Sequence, residues 1–230
     1  MHPFVQHEFR WTTFYMMDSI SQHMFNFFFF DLPKERILSF HINMIWIVVT
    51  IAILMLHCII NYHVDIIGEN YYAQPPLSIY DIFHNFLPGL SKFVWVSDIF
   101  TMCTIIPLII VWKTRAILDF LGFFLVIILL RTLSISLTVL PKYTECSIEY
   151  SNPITGGCYD KIFSNHTAFT LLATFIMYQY RIIRNIPLLV GLNVINVVLI
   201  LLARAHYSID IFVAIVVTIL VFQNKLKIPL

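Results

Sequence analysis

The chain has 230 residues, of which 59% are hydrophobic and only 12% charged, against roughly 45–50% and about 25% in a soluble domain. So few charges cannot cover a soluble globule, and the mean hydropathy of +0.82 excludes a disordered chain or a disulfide-framework peptide as well. A net charge of +1 leaves no basic field for nucleic acid, and six glycines exclude collagen-like sequence. The bilayer is the solvent that fits.

In chain order, the first 40 residues precede any spanning run. Phe25 and the phenylalanines at 27–30 form an aromatic stretch too short to cross a bilayer. It reads as an interfacial segment, with a re-entrant role as the alternative. Apolar runs follow at 42–60, 93–112, 116–140, 163–180, 186–203 and 209–222. A spanning helix needs about 20 such residues. The last run is short and is expected to extend through Tyr207 and Gln223. The first starts too late and is too long for a cleaved signal peptide. The expected fold is all-α: a polytopic membrane protein of six transmembrane helices, with an interfacial segment 1–40, a catalytic membrane domain 41–224 and a tail 225–230.

Basic residues orient the spans. Lys34 and Arg36, Lys113 and Arg115, Arg181 and Arg184, and Lys225 and Lys227 occupy alternate connections. With six spans these fall on one face, which the positive-inside rule makes cytoplasmic together with both termini. The loops 61–92, 141–162 and 204–208 then face the lumen or the outside. Cys58 and Cys103 lie inside spans and read as packing residues. Cys146 and Cys158 share the long loop before the fourth span, where a disulfide is expected and two free thiols are the alternative.

Ionisable groups at membrane depth are costly and usually functional. Ser164-Asn165-His166-Thr167 opens the fourth span, and Arg204 to Asp210 joins the fifth to the sixth. Arg131 and Asp98 lie within spans near the same face. His206 and Asp210 are four apart, so a helix beginning near His206 puts them on one face. A carboxylate there orients an imidazole and stabilises its cation. His166, from another helix start, completes an acid/base pair suited to attack on phosphorus. Arg204 or Arg131 would carry phosphate charge, and Ser164 with the backbone N–H groups of its helix start would add donors. His57, His63 and His84 read as packing or interfacial residues. A metal held by His166, His206 and Asp210 is a weaker reading, because this spacing is poor for metal ligation.

These segments carry a resemblance. Gly156-Gly157-Cys158-Tyr159-Asp160-Lys161-Ile162-Phe163-Ser164-Asn165-His166-Thr167 resembles the C-G-D-x-x-x-S-G-H-T motif of the sphingomyelin synthase family. His206-Tyr207-Ser208-Ile209-Asp210 resembles its H-Y-T-x-D motif. The stretch from Arg131 to Pro141 resembles its third-helix motif, and Pro75-Pro76-Leu77 followed by Asp81 its P-P-L-P-D motif. The motifs come in the family's order over residues 40–222. The family lies within the lipid phosphate phosphatase superfamily. The resemblance implies His206 as nucleophile, Asp210 as its orienter and His166 as proton donor to the leaving alkoxide, with Asp81 at the substrate. It also implies transfer of a phosphocholine- or phosphoethanolamine-type headgroup from a phospholipid donor to a ceramide-type acceptor, releasing diacylglycerol. The route is a phosphohistidine, with no metal and no cofactor. The setting would be the Golgi, endoplasmic reticulum or plasma membrane; a homo-oligomer is left open.

This chain departs from the pattern in three places. Asn165 stands where the motif has glycine, which narrows the phosphate pocket. Tyr159 separates Cys158 from Asp160, and Ser78-Ile79-Tyr80 are inserted before Asp81. No sterile-alpha-motif domain precedes the spans. The rival functions are a lipid phosphate phosphatase with water as acceptor, a fat-storage-inducing-type lipid hydrolase, and a non-enzymatic scaffold or transporter. Apolar neighbours of both histidines (Ile162, Phe163, Tyr207, Ile209) favour a dry cleft and therefore a lipid acceptor.

Overall fold

The structure, a computed structural model, describes residues 36–72, 79–111, 113–142 and 157–225, with backbone alone at 36–46, 224 and 225. The N-terminal aromatic stretch, Lys34, Pro75-Pro76, Trp112, Cys146 and Lys227 lie outside the described residues, and so do the side chains of Arg36 and Lys225. Every regular element among the described residues is helical.

Helix α1 (Arg36–Tyr71) runs past the expected end at residue 60. Its buried residues His57, Asn61, Val64 and Asp65 recur at helical spacing. Asp65 finds its partner on the loop near 158 and His57 finds its partners on α5, so the helix continues although its hydropathy falls. The outer face stays apolar and exposed, as at Ile47, Val48 and Met55, which suits lipid. Asp81 caps the short helix α2 (Ile82–Phe86), accepting from the His84 backbone N–H at 3.0 Å.

The second apolar run is broken. A 3-10 turn (Ser91–Phe93) leads into α3 (Val94–Cys103), and α4 (Ile106–Val111) follows. At the break Thr104 Oγ1 donates to the Thr101 carbonyl at 2.6 Å, and Pro107 has no N–H to offer. Helix α5 (Thr114–Leu137) is continuous.

Helix α6 (Asn165–Gln179) is the hub, packing on α3, α4 and α5 and on α7 (Ile186–Leu202) and α8 (Ser208–Lys225). Its buried face, including Ala168, Leu172, Ala173 and Ile176, meets Phe120, Phe123 and Ile127 of α5 in the main core. Helices α6 and α7 both end in Schellman turns. Ile182 N–H bonds the Met177 carbonyl, and Ala205 N–H the Ile200 carbonyl. Arginines, not glycines, take the left-handed position in both: Arg181 at φ 56° and Arg204 at φ 55°. A side chain there costs about 1–2 kcal/mol.

Among the described residues, three stretches are long and apolar enough to cross a membrane: Ile47–Tyr71, Ser91–Val111 and Thr114–Leu137. Ile186–Leu202 and Ser208–Gln223 are shorter apolar helices, and α6 has 15 residues. The described residues are thus all-helical and, by length and composition, suited to a membrane. The basic turns gather at one end of the bundle, where Lys113 Nζ donates to the Tyr180 carbonyl at 2.8 Å. The starts of α6 and α8, with their histidines, lie at the other.

Candidate active site

The loop 157–164 builds the floor of the site. Arg131, on α5 and buried, donates from Nε to the Phe163 carbonyl at 3.1 Å and from Nη2 to the Asp160 carbonyl and carboxylate at 2.9 and 2.7 Å. Its Nη1 donates to His57 Nε2 at 3.2 Å. Thr132 Oγ1 already donates to the Ile128 carbonyl, so it accepts from His57 Nδ1–H at 2.8 Å. His57 is therefore neutral and held at both nitrogens. Phe163 sits at φ 31°, a strained conformation that turns its carbonyl to Arg131. Burial pushes the Asp160 carboxyl up, but the charges of Arg131, Lys161 and His206 outweigh it and hold the group below the ordinary range.

The same loop is pinned to α1. Asp65 Oδ1 accepts from Tyr159 N–H at 2.9 Å, and Tyr159 hydroxyl donates to Glu69 at 2.7 Å. Lys142 pairs with Glu69 at 2.7 Å and lies over the Tyr159 ring. Cys158 is disulfide-bonded, whereas Cys58 and Cys103 are free.

Onto this floor come the two histidines. His206, in the turn between α7 and α8, is buried, and its Nδ1 donates to the Lys161 carbonyl at 3.2 Å. The Asp210 carboxylate is farther, at 3.7 Å, and accepts from Tyr207 N–H at 3.0 Å as a cap of α8. A proton on Nδ1 leaves Nε2 as the lone-pair nitrogen. Burial pulls the His206 pKa below its ordinary value; Asp210 opposes this, and the charges of Lys161 and Arg131 add to it.

His166 opens α6 behind the Ser164 cap, whose Oγ accepts from Thr167 N–H at 3.3 Å. Its Nε2 donates to Asp98 of α3 at 2.7 Å, and its Nδ1 is buried without a partner. The two imidazole centres are 6.3 Å apart. Asn196 of α7 braces this helix start, donating to the His166 carbonyl at 3.0 Å and to Thr170 Oγ1 at 2.6 Å. Nothing in the sequence singled out Asn196, or joined Asp98 to His166.

The expected phosphate ligands are placed unevenly. The guanidinium of Arg131 is spent on loop 157–164 and on His57. Asp81 Oδ2 accepts from the Ser208 N–H and hydroxyl, both at 2.6 Å, so this carboxylate caps α8 from across the fold. His84 Nε2 donates to the His206 carbonyl at 3.1 Å and joins α2 to the site. Arg204 Nη2 donates to the Leu87 carbonyl at 2.8 Å, and Arg204 and Lys161 both lie beside His206. Lys161 is buried and donates to the Ala205 carbonyl at 2.8 Å. Burial lowers its pKa, with Asp160, Asp210 and Asp65 opposing. Sequence reading missed Lys161; a lysine inside the histidine motif was the available signal. Among the described residues no group of three His, Cys, Asp or Glu side chains is placed to hold a metal ion.

Residues 157–227, which contain His166, His206 and Asp210, match the family described as PAP2 superfamily C-terminal. The chain is 38% identical over 84 residues to phosphatidylinositol:ceramide inositolphosphotransferase 3 of Arabidopsis thaliana, a stretch covering 36% of this chain and 29% of that protein. It is 37% identical over 84 residues to the phosphatidylinositol:ceramide inositolphosphotransferases of Oryza sativa subspecies indica and japonica, covering 36% of this chain and 26% of each. The matched stretch is under a third of each relative's length. The likeness to this family and to these plant enzymes lies in the C-terminal part of the chain.

Proposed function

We propose that this chain is a membrane lipid headgroup transferase of the PAP2 superfamily. It moves a phospho-headgroup from a glycerophospholipid to the hydroxyl of a ceramide-type lipid through a phosphohistidine. The observation that carries this reading is the imidazole pair: His206 is held at Nδ1 by a carbonyl, and His166 at Nε2 by a carboxylate. Each has its other nitrogen free for substrate.

His206 Nε2 attacks phosphorus as the bond to the diacylglycerol oxygen breaks, and His166 Nδ1–H protonates that oxygen. His166 then takes the proton of the acceptor hydroxyl. The new oxygen–phosphorus bond forms as the His206 nitrogen–phosphorus bond breaks, and the enzyme returns to its starting state. Arg204, Lys161 and the N–H groups at the Ser164 end of α6 balance the phosphate charge.

The chain crosses the membrane six times, with the histidines on the lumenal or outer face. The basic turns at the opposite end of the bundle support this, as does the disulfide at Cys158. A lipid acceptor rather than water is favoured by the apolar cavity that reaches His166. The names of the plant relatives favour phosphatidylinositol as donor, while the motif resemblance favours choline or ethanolamine phospholipids.

The test is purified protein with fluorescent ceramide and each of these three donors in turn, with and without a chelator. Ceramide bearing the headgroup, formed together with diacylglycerol and unchanged by the chelator, is the expected product. Free headgroup phosphate as the main product, with ceramide abundant, would assign the chain to the hydrolases.

A further inference from the structure

A cavity of about 410 Å³ lies between α1 on one side and α3 and α6 on the other, floored by α5. Its mouth is formed by side chains that face lipid: Ile51 is 56% exposed, Met55 58% and Met102 53%. Its far end is polar and holds Asp98, Asn165 and His166. Such a shape accepts a lipid chain sideways from the bilayer and brings the chain's polar end to His166.

At that end Asn165 has no role in the chemistry above. It is the first residue of α6, and its carbonyl oxygen is buried without a hydrogen-bond partner. Of the neighbouring acceptors, Asp98 holds His166 and the Ser164 hydroxyl caps the helix, while Thr167 Oγ1 is buried and unpartnered like the Asn165 side-chain oxygen. A buried acceptor in an apolar cavity is costly until a donor reaches it. The hydroxyl that reacts with the phosphohistidine is not that donor, because its proton goes to His166.

We propose that Asn165 is a specificity-determining residue for the acceptor lipid, which lies in this cavity. Its carboxamide receives a second donor, next to the reacting hydroxyl, from a lipid with an amide N–H. Ceramide has that group. Diacylglycerol, with one hydroxyl and two esters, lacks it, and so does ceramide methylated on nitrogen. A site built around such a pair rejects the analogue lacking the donor by about tenfold or more. This inference rests on the transferase reading.

The experiment uses the full-length purified protein and a phospholipid donor, with ceramide and N-methylceramide competing as acceptors. The ratio of products within one preparation is independent of how much protein is folded. The native chain should favour ceramide by about tenfold or more, and Asn165→Leu should bring the ratio close to one. Asn165→Gly, which removes the side chain without adding bulk, should do the same. A native ratio near one, or a ratio unchanged in both variants, overturns the proposal while leaving the transferase intact. A change in KM for the donor with no change in acceptor ratio gives the cavity to the donor and overturns it too. No transfer to either acceptor by the native chain overturns the transferase reading itself, and this inference with it.

Discussion

The backbone carbonyl of Lys161 lies 3.2 Å from Nδ1 of His206, nearer than the 3.7 Å that separates this nitrogen from the Asp210 carboxylate. The tautomer of His206, the proposed nucleophile, is therefore set first by a main-chain atom, which no side-chain substitution removes. Asp210→Asn, which can still cap Tyr207, should lose only about tenfold to a hundredfold in kcat, less than a triad whose tautomer depends on its carboxylate. His206→Ala should leave no trapped phosphoenzyme when the donor headgroup is radiolabelled. Equal activity of the two variants would remove both roles.

The pairing of Asp98 with His166 at 2.7 Å makes the proposed acid a dyad. Asp98→Asn and His166→Ala should slow donors with alkoxide leaving groups by about 10²-fold or more. Donors with a nitrophenolate leaving group need little protonation and should be slowed far less. A rate ratio between the two donor types that matches the native enzyme in both variants would contradict the dyad.

Burial lowers the His206 pKa from its ordinary 6.5. Attack needs the neutral ring, so activity is present above the folded-state pKa and lost as pH falls through it. The acid limb of kcat/KM should accordingly lie below pH 6.5. The Lys161 charge adds to the lowering, so Lys161→Met should move the limb to higher pH. A shift to lower pH in that variant would contradict the electrostatic account.

Gly157 faces Asp65, and Gly68 faces the Tyr159 ring; a Cβ at either would overlap these side chains. Both contacts pin the catalytic loop to α1. Gly157→Ala and Gly68→Ala should each cost about 1–3 kcal/mol, read as a lowered Tm in detergent. An unchanged Tm would mean that the loop is not docked this way.

Asn165-His166-Thr167 has the form of a glycosylation sequon, but Asn165 begins α6 and its carbonyl oxygen is buried. The chain should emerge unmodified at this position from a glycosylating host. A glycosidase-sensitive mass shift that disappears in Asn165→Gln would count against the site.

The sequence by itself determined the solvent, the helices and the candidate chemistry. Unbroken apolar runs leave bilayer burial as the outlet for so much apolar surface, and basic residues in alternate connections fix which ends group together. Spacing alone marked His206 and Asp210 as neighbours, and they are, although His206 lies in the turn before α8 rather than on the expected helix face. Tertiary structure decided who holds these groups. Asp98 reaches His166, His57 and Asp160 bind Arg131, and Asp81 caps Ser208 from far along the chain. Such pairs depend on how each helix is rotated and how far it has slid against its neighbour, which local periodicity does not encode. The Lys161 carbonyl is less legible still. Every residue carries such a group, and only the strained turn ending at Phe163 aims this one at His206.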